Sequence, residues 1–342
     1  MSKLQCAVIG CGRIGCSFDD NPIKNTIQTH SSFYNYNKKT DLVSLCDIDQ
    51  KLVKKYSDKY NLKNNYTNIQ SMLENENLDC LSICTRANSH LETVKIASKF
   101  NIKGIIIEKP ISDSLLHVKK IIKLCEDNNI ILAINHQRRF DPFYHELSDK
   151  IKNGLIGDIE NVTLYYGGGI SNTGSHIFDI LRLFFGEVDT IQSNLIAKKS
   201  KNPQDPNLDL LIKFKNKIQC NMISLPLKNY GLMEMDIFGN LGRLKIDMVL
   251  NTVKYYTKKQ FFKNFTGLTS QKISSIKTNS AMDISKSMNN FILSVLGNNK
   301  PLCTGQDGYY SLEMIVASLL SYRQKKIIHL PIKNTGFKIH SN

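Results

Sequence analysis

The run VIGCGRIG near the start of the chain sets Gly10, Gly12 and Gly15 in G-x-G-x-x-G spacing directly after a strand-like stretch. That spacing suits the binding of a dinucleotide. Gly10 permits the tight turn, Gly12 lets the backbone come close to a pyrophosphate, and Gly15 allows helix and strand to pack closely, with the helix N-terminus facing the phosphates. Arg13 and Ile14 lie inside the same loop and are grouped with the glycines as cofactor contacts. A second strand-like run, DLVSLCDID, ends at Asp47. A carboxylate there would bond the ribose hydroxyls and repel a 2′-phosphate, which favours NAD over NADP; an exposed strand-end aspartate is the plain alternative. Asp47 stands farther from Gly15 than the usual ~20 residues, and SFDDNPIKNTIQTHSS reads as an insertion in the first crossover. His30, within it, either reaches the cofactor or caps the helix resuming at Ser31.

A second stretch, ISNTGSHIFD, opens an apolar helix with Asn172, His176 and Asp179. At roughly 100° per residue the three fall within an arc of about 60°, while Ile177, Ile180, Leu181 and Phe184 point elsewhere. A polar stripe therefore runs beside a core-facing one. On these residues alone it is either a solvated face whose histidine caps a neighbour or the lining of a site.

These groups need elements to hold them. Up to about residue 135, apolar strands (LQCAVIG, DLVSLCD, CLSICT, GIIIEKP, IILAINH) alternate with helical segments (KLVKKYSDKYN, HLETVKIASKF, SLLHVKKIIKLCEDN). That alternation is what a parallel sheet with crossover helices requires. Residues 1–135 are thus expected to form an α/β, doubly wound Rossmann domain that binds NAD. Residues 136–342 are expected to form an α+β domain with a large, mostly antiparallel, open-faced sheet for substrate binding and oligomerisation. In it, PFYHELSDKIKNG, IENVTLYYG and GSHIFDILRLFFG read as helix, strand and helix. Six runs from VDTIQSNLIAK to TVKYYTKK then succeed one another across turn signals, as in an antiparallel meander. FTGLTSQKISSIKTNS lacks periodicity and reads as a mobile loop. Helices near 281–297 and 306–324 and a last strand, KIIHLPI, close the chain.

Composition narrows the partners. The 342 residues are 41% hydrophobic and 22% charged, an ordinary globular balance. No apolar run approaches the ~20 residues of a membrane span, and MSKLQCAVIG lacks the features of a leader, so a cytoplasmic protein is expected. The nine cysteines form neither a CxxC pair nor a disulfide framework and read as small buried hydrophobes, with no metal site. The formal charge of +15 is spread along the chain rather than clustered, which argues against nucleic acid. It would still attract an anionic small molecule such as a nucleotide sugar.

At GIIIEKP, the residues Glu108, Lys109 and Pro110 end a strand. HQRRFDP and GSHIFD follow, and CTRANSH precedes them near residues 84–90. Together these resemble the glucose-fructose oxidoreductase / inositol dehydrogenase / MocA family over nearly the whole chain. The resemblance implies that Lys109 sits beside the nicotinamide, hydrogen-bonding the substrate oxygen, with Glu108 orienting the lysine or touching the cofactor. It implies that the helix carrying His176 lines a sugar pocket, with His176 as acid-base and Asp179 as its partner. Thr85, Asn88 and His90 would shape the nicotinamide side of the CTRANSH loop. Arg138 and Arg139 would lie near cofactor and substrate, where either could bind an anionic group; Tyr166, before GGG at the end of a strand, either reaches the pocket or, by default, packs in the sheet. The resemblance also implies association through the broad face of the antiparallel sheet, with a homodimer or homotetramer expected.

Two departures stand out. Asn172 replaces the aspartate that many relatives carry; its amide can bond a sugar hydroxyl but cannot take a proton. Arg86 replaces the loop proline. The resulting expectation is an NAD-dependent dehydrogenase acting on a secondary alcohol of a sugar, nucleotide sugar or polyol, with a leaning toward sugars of a bacterial surface polysaccharide. An NAD-dependent glycosidase working by transient oxidation, or a dinucleotide-sensing regulator without catalysis, are the alternatives.

Overall fold

The computed structural model describes residues 2–194, 200, 202–271, 273, 283–333 and 336–340. Contacts divide the chain into two units, Met1–Phe140 with Met282–Tyr309, and Asp141–Ala281 with Tyr310–Asn342. By contacts, the segment Met282–Tyr309 groups with the first unit.

In the first unit, β1 (Leu4–Ile9), β2 (Thr40–Cys46), β3 (Asn64–Tyr66), β4 (Cys80–Ile83), β5 (Gly104–Ile107) and β6 (Ile131–Ile134) form one sheet in the order β3-β2-β1-β4-β5-β6. Every pairing is parallel. All residues of β4 and β5 are buried, as a sheet covered on both faces demands. The crossovers carry α1 (His30–Tyr36), α2 (Gln50–Lys59), α3 (Ile69–Asn75), α4 (His90–Ala97) and α5 (Leu115–Asp127). Local sequence starts several of them. Asp49 accepts the Lys51 and Leu52 amides, Asn68 the Ser71 amide and Ser114 the His117 amide, each satisfying a donor that a helix start leaves orphaned. The later segment supplies α8 (Ser285–Val295), whose Met288, Phe291 and Ile292 join the core around Leu4, Val8, Phe33 and Tyr34. A β-carbon at Gly104 would collide with Val295 and Phe291, so the start of β5 must be glycine for α8 to lie there.

The first crossover is not a plain strand–turn–helix. One helical turn follows the glycine loop, with the Cys16 and Ser17 amides both donating to the Gly12 carbonyl at 2.9 and 3.0 Å. A short 3-10 turn, Ser17–Asp20, comes next, and α1 begins only at His30. Its first amides then bond back across the gap, His30 to the Ile14 carbonyl and Ser31 to the Gly15 carbonyl, both at 3.1 Å. The inserted residues are thus looped out of a helix whose hydrogen bonding resumes beyond them. They are also pinned. Thr29 and Tyr60 donate to Asp19 Oδ2, and Lys55 and Tyr56 donate to Asp20 Oδ2 at 2.6 and 2.8 Å. The Lys55 bond, followed by that from Tyr56, holds the Asp20 carboxyl below the usual carboxylate range.

Among the described residues, the second unit is built on nine strands: β7 (Ile159–Tyr166), β8 (Val188–Ser193), β9 (Leu210–Phe214), β10 (Gln219–Ser224), β11 (Met233–Gly239), β12 (Gly242–Asp247), β13 (Thr252–Phe262), β14 (Phe265–Gln271) and β15 (Ile328–His329). Their order is β14-β13-β12-β11-β7-β10-β9-β8-β15. The sheet is mostly antiparallel, as expected, but it is not a simple meander: β7 lies between β11 and β10 and runs parallel to β10. Burial alternates along β11 and β12, which gives one covered and one open face. The helices are α6 (Pro142–Lys152), α7 (Thr173–Phe185) and α9 (Gly305–Gln324), within which the division of the chain falls.

Two local expectations change. FTGLTSQ is a strand, β14, because it completes a hairpin with β13 rather than burying a periodic face of its own; the rest of that polar run lies mainly outside the described residues. VDTIQSNLIAK is a strand only to Ser193, and residues 195–198 lie outside the described residues. Among the described residues no helix is long and apolar enough to cross a membrane.

Asp19→Ala should free the inserted loop while leaving the sheet intact. Urea unfolding is expected to show a loss of about 1–2 kcal/mol, and limited trypsin digestion should cut faster at the exposed Lys24 with no new cleavage in the strands.

Candidate active site

The three motif glycines meet different surroundings. Gly10 has φ +97°, and a β-carbon on it would stand 2.8 Å from the Cys84 carbonyl carbon and 3.0 Å from the Thr85 amide nitrogen. At Gly15 a β-carbon would run into the Gly10 carbonyl oxygen. These two glycines close the turn. Gly12 is the reverse, since a β-carbon there would meet nothing within 4 Å. Its backbone faces open space, the cradle that a diphosphate approaching the loop amides needs, so these residues fit a dinucleotide.

Asp47, half-buried at the end of β2, helps to hold the loop. Its Oδ2 accepts the Cys11 amide at 2.6 Å and its Oδ1 the Asp49 amide at 2.9 Å. Arg13 is exposed, with its guanidinium 5.1 Å from the centroid of the Phe18 ring. Ile14 packs against the hydrophobic core of this unit.

At the carboxyl end of β5, two charged neighbours meet different environments. Glu108 is buried and Lys109 half-buried. Glu108 Oε1 lies 3.1 Å from His30 Nε2 and accepts a hydrogen bond from the Asn135 amide. His30 Nδ1 lies 2.8 Å from Ser82 Oγ, and the Ser82 hydroxyl donates to the Tyr34 oxygen at 2.8 Å. Burial pushes the Glu108 carboxyl up, but the bond and charge of His30, the Asn135 bond and the Lys109 ammonium together outweigh it and hold the group below its ordinary value. His30 therefore neither caps α1 nor stands free for a ligand. Thr29 is the cap, accepting the Ser32 amide.

The CTRANSH loop is ordered by His90, which is buried with Nδ1 3.0 Å from the Ile111 carbonyl and Nε2 3.0 Å from the Thr85 carbonyl. Burial pushes its imidazole below the usual value despite both carbonyls. Thr85 is half-buried and its hydroxyl accepts from Ser89 at 2.7 Å, whereas Arg86 and Asn88 are exposed. Arg138 and Arg139 are half-buried, and Arg139 pairs with Asp307 at 3.5 Å.

In the second unit, α7 grades from solvent to core. Asn172 is exposed, His176 half-buried and Asp179 buried. Tyr166 is fully buried, and its hydroxyl both donates to the Leu208 carbonyl and accepts the Leu208 amide at 2.9 Å. It is a sheet-packing residue and presents no pocket-facing hydroxyl. A cavity of about 750 Å³ lies against the 200–206 loop and the end of α9, lined by Gln204, Tyr322, Arg323 and Lys338 among others. None of the expected site residues lines it, so its size carries no weight in locating the chemistry.

Residues 4–136 match an oxidoreductase family with an NAD-binding Rossmann fold, and residues 161–330 match that family's C-terminal alpha/beta domain. The chain belongs to the glucose-fructose oxidoreductase / inositol dehydrogenase / MocA family. It is accordingly an oxidoreductase, a dehydrogenase that takes NAD. Among curated members, it is 24% identical to myo-inositol 2-dehydrogenase of Thermotoga maritima, over 96% of this chain and 98% of that one. Among solved structures, it shares its fold with the WlbA dehydrogenase of Chromobactrium violaceum in complex with NADH and UDP-GlcNAcA. The TM-score is 0.80 at 18% identity, covering 98% of each chain. The WlbA dehydrogenase of Bordetella pertussis, in complex with the same two compounds, gives 0.78 at 17% identity, covering 97% of this chain and all of that one.

Sequence reasoning missed the partners of Glu108. Asn135 carries no motif, nor does Ser82, which bonds His30 rather than Glu108, and His30 reaches Glu108 across 78 residues of chain, so no local spacing marks them.

The glycines separate fold from binding. Gly12→Ala should leave urea stability within about 0.5 kcal/mol, as for a substitution into open space, yet weaken NADH binding at least tenfold by fluorescence titration. Gly10→Ala should itself cost about 1–3 kcal/mol, because its backbone is left-handed and crowded.

Glu108 offers a test by pH. With its folded value lowered, the carboxylate adds stability that is fully present above the unfolded value near 4.3 and is lost as pH falls through the folded value. The stability gap between wild type and Glu108→Gln should therefore narrow from pH 7 to pH 3.

Proposed function

We propose that this chain interconverts a secondary alcohol and a ketone on a sugar, nucleotide sugar or polyol. The observation that carries this reading is the placement of Lys109. In a fully parallel sheet, the carboxyl end of β5, where Lys109 emerges half-buried, lies on the same edge as the glycine loop after β1. Ligands of open α/β sheets bind at that edge.

Bound NAD supplies the hydride acceptor. Lys109 donates a hydrogen bond to the substrate oxygen and stabilises its alkoxide character as the neighbouring C–H bond breaks. His176, half-buried on α7, accepts the hydroxyl proton, a task suited to an imidazole, whose ring nitrogen can take up a proton and return it. Asp179, one turn further and buried, orients the imidazole. Asn172 bonds a substrate hydroxyl through its amide and leaves proton transfer to His176. Thr85, Asn88 and His90 set the nicotinamide side, with Asp47 at the ribose. Arg138 or Arg139, both half-buried just after β6, binds an anionic substrate group.

A nucleotide sugar of a bacterial surface polysaccharide is our preferred substrate. Its support is the formal charge of +15 together with the UDP-sugar held by the two WlbA dehydrogenases of like fold. We further infer a homodimer or homotetramer, because Phe261, Phe262, Phe265 and Leu268 on the β13–β14 hairpin are 43–73% exposed. Eight of the nine cysteines are buried, in keeping with small hydrophobes in a reducing compartment, the cytoplasm.

A panel of UDP-, GDP- and CMP-sugars and free polyols with NAD, read by NADH absorbance, tests this reading. One class should turn over, with Lys109→Ala and His176→Ala each lower by ~10²–10⁴ and NADH affinity kept in His176→Ala. Undiminished turnover in Lys109→Ala contradicts the mechanism.

A further inference from the structure

The segment that leads into α7 is shaped from outside by a buried carboxylate. Asp205, 1% exposed, lies on the connection between β8 and β9. Its Oδ1 accepts the Ser171 amide at 2.7 Å and its Oδ2 the Asn172 amide at 3.0 Å. The Pro206 carbonyl takes the Ile170 amide at 3.0 Å, and the buried Asn207 side chain takes the Gly169 amide at 2.8 Å. Four successive amides, 169 to 172, are thus received by three successive residues, 205 to 207. The two segments also fit sterically. Gly169 has φ +95°, and a β-carbon there would overlap the Asp205 carboxylate.

This matters because α7 has no side-chain cap of its own. Asn172 occupies the N-cap position with helical backbone angles and makes no capping bond. Asp205 supplies from a distant loop the negative group that α2 obtains from its own cap, Asp49. A single anion at a helix start is stabilised by the exposed amides. A second one beside it meets the first.

We propose that Asp205 is a positioning residue for the mouth of α7, and that its buried charge requires the side chain at position 172 to be neutral. With Oδ2 3.0 Å from the residue 172 amide, bond lengths keep a carboxylate on that same residue within about 6–7 Å of it. One of the two groups is desolvated, so their repulsion is only weakly screened. An amide at 172 keeps both hydrogen-bonding functions without adding charge, which accounts for asparagine at this position. The catalytic consequence rests on the reading of Asn172 and His176 as substrate-facing groups; the charge coupling between 172 and 205 does not.

The test is a double-mutant cycle of Asn172→Asp and Asp205→Asn, read by thermal unfolding and by kcat/KM with the member of the UDP-, GDP- and CMP-sugar and polyol panel that the wild type turns over. Asn172→Asp should lower Tm by about 3 °C in the wild-type background and leave it unchanged or raised when Asp205→Asn is also present. Each single variant should lose about tenfold in kcat/KM, matching one tenfold step of ~1.4 kcal/mol in coupling. The double variant should fall no lower than Asp205→Asn alone, with NADH affinity unchanged throughout. Equal Tm losses from Asn172→Asp in both backgrounds overturn the coupling. Should Asp205→Asn fail to fold, Asn172→Asp decides alone, because its position is exposed: an unchanged Tm overturns the proposal. Coupling in Tm with kcat/KM unaffected in every variant supports the charge pairing but overturns the positioning role. It would also remove α7 from the substrate site while leaving NAD binding intact.

Discussion

A charge inside a protein has to be answered, and in the first unit the answer is the contact between His30 and Glu108. Glu108 cannot remain ionised at a buried strand end without its hydrogen bonds from His30 and Asn135. The partners come from α1 and from the end of β6, and Ser82 on β4 holds the other side of the imidazole. One buried carboxylate thereby ties a crossover helix to three adjacent parallel strands at their carboxyl edge. Lys109, the next residue, leaves the sheet from a point that this network holds still. The same requirement explains the first crossover. Whatever is inserted after the glycine loop, α1 has to resume in register so that His30 returns to Glu108, and the bonds from the His30 and Ser31 amides to Ile14 and Gly15 show it doing so.

Buried or half-buried acids recur at each segment that the proposed chemistry uses. Asp47 holds the glycine loop through the Cys11 amide, Glu108 anchors the strand end before Lys109, and Asp205 holds the entry to α7. In each case a carboxylate accepts hydrogen bonds and places a backbone segment. Charge-assisted bonds are short and directional, and one carboxylate receives several donors, so few residues suffice to fix a loop. The chain carries a large positive excess overall, yet much of its internal positioning is done by a few acids.

The parts legible in the sequence were those written locally. The glycine spacing, the strand–helix alternation of the first unit and the polar stripe on α7 are short-range patterns that follow from backbone periodicity. What escaped was set by distance. His30 faces a partner 78 residues on, and Asp205 reaches back 33 residues to Asn172; no spacing rule connects them. The elements β3 and α3 are too short and polar to show a period. The FTGLTSQ run pairs only because β13 lies beside it, so its own composition looked like loop. The place of β7, parallel to β10 in an otherwise antiparallel sheet, and the return of α8 to the first core are decisions of topology. Tyr166, at a strand end before GGG, could be read either as reaching the pocket or as packing in the sheet, and it packs. Its partner, the Leu208 backbone, is 42 residues away.

The account stands on the coenzyme's reactive ring lying beside the strand end that Glu108 and His30 hold. A crystal structure of the wild-type protein with NADH measures this directly. The expected result is a diphosphate against the Gly12 backbone, ribose hydroxyls at Asp47, and the nicotinamide C4 within about 4–5 Å of the Lys109 ammonium, contact distance for a group acting at the reacting carbon. A nicotinamide turned away from Lys109, or a dinucleotide bound away from the glycine loop, would contradict it.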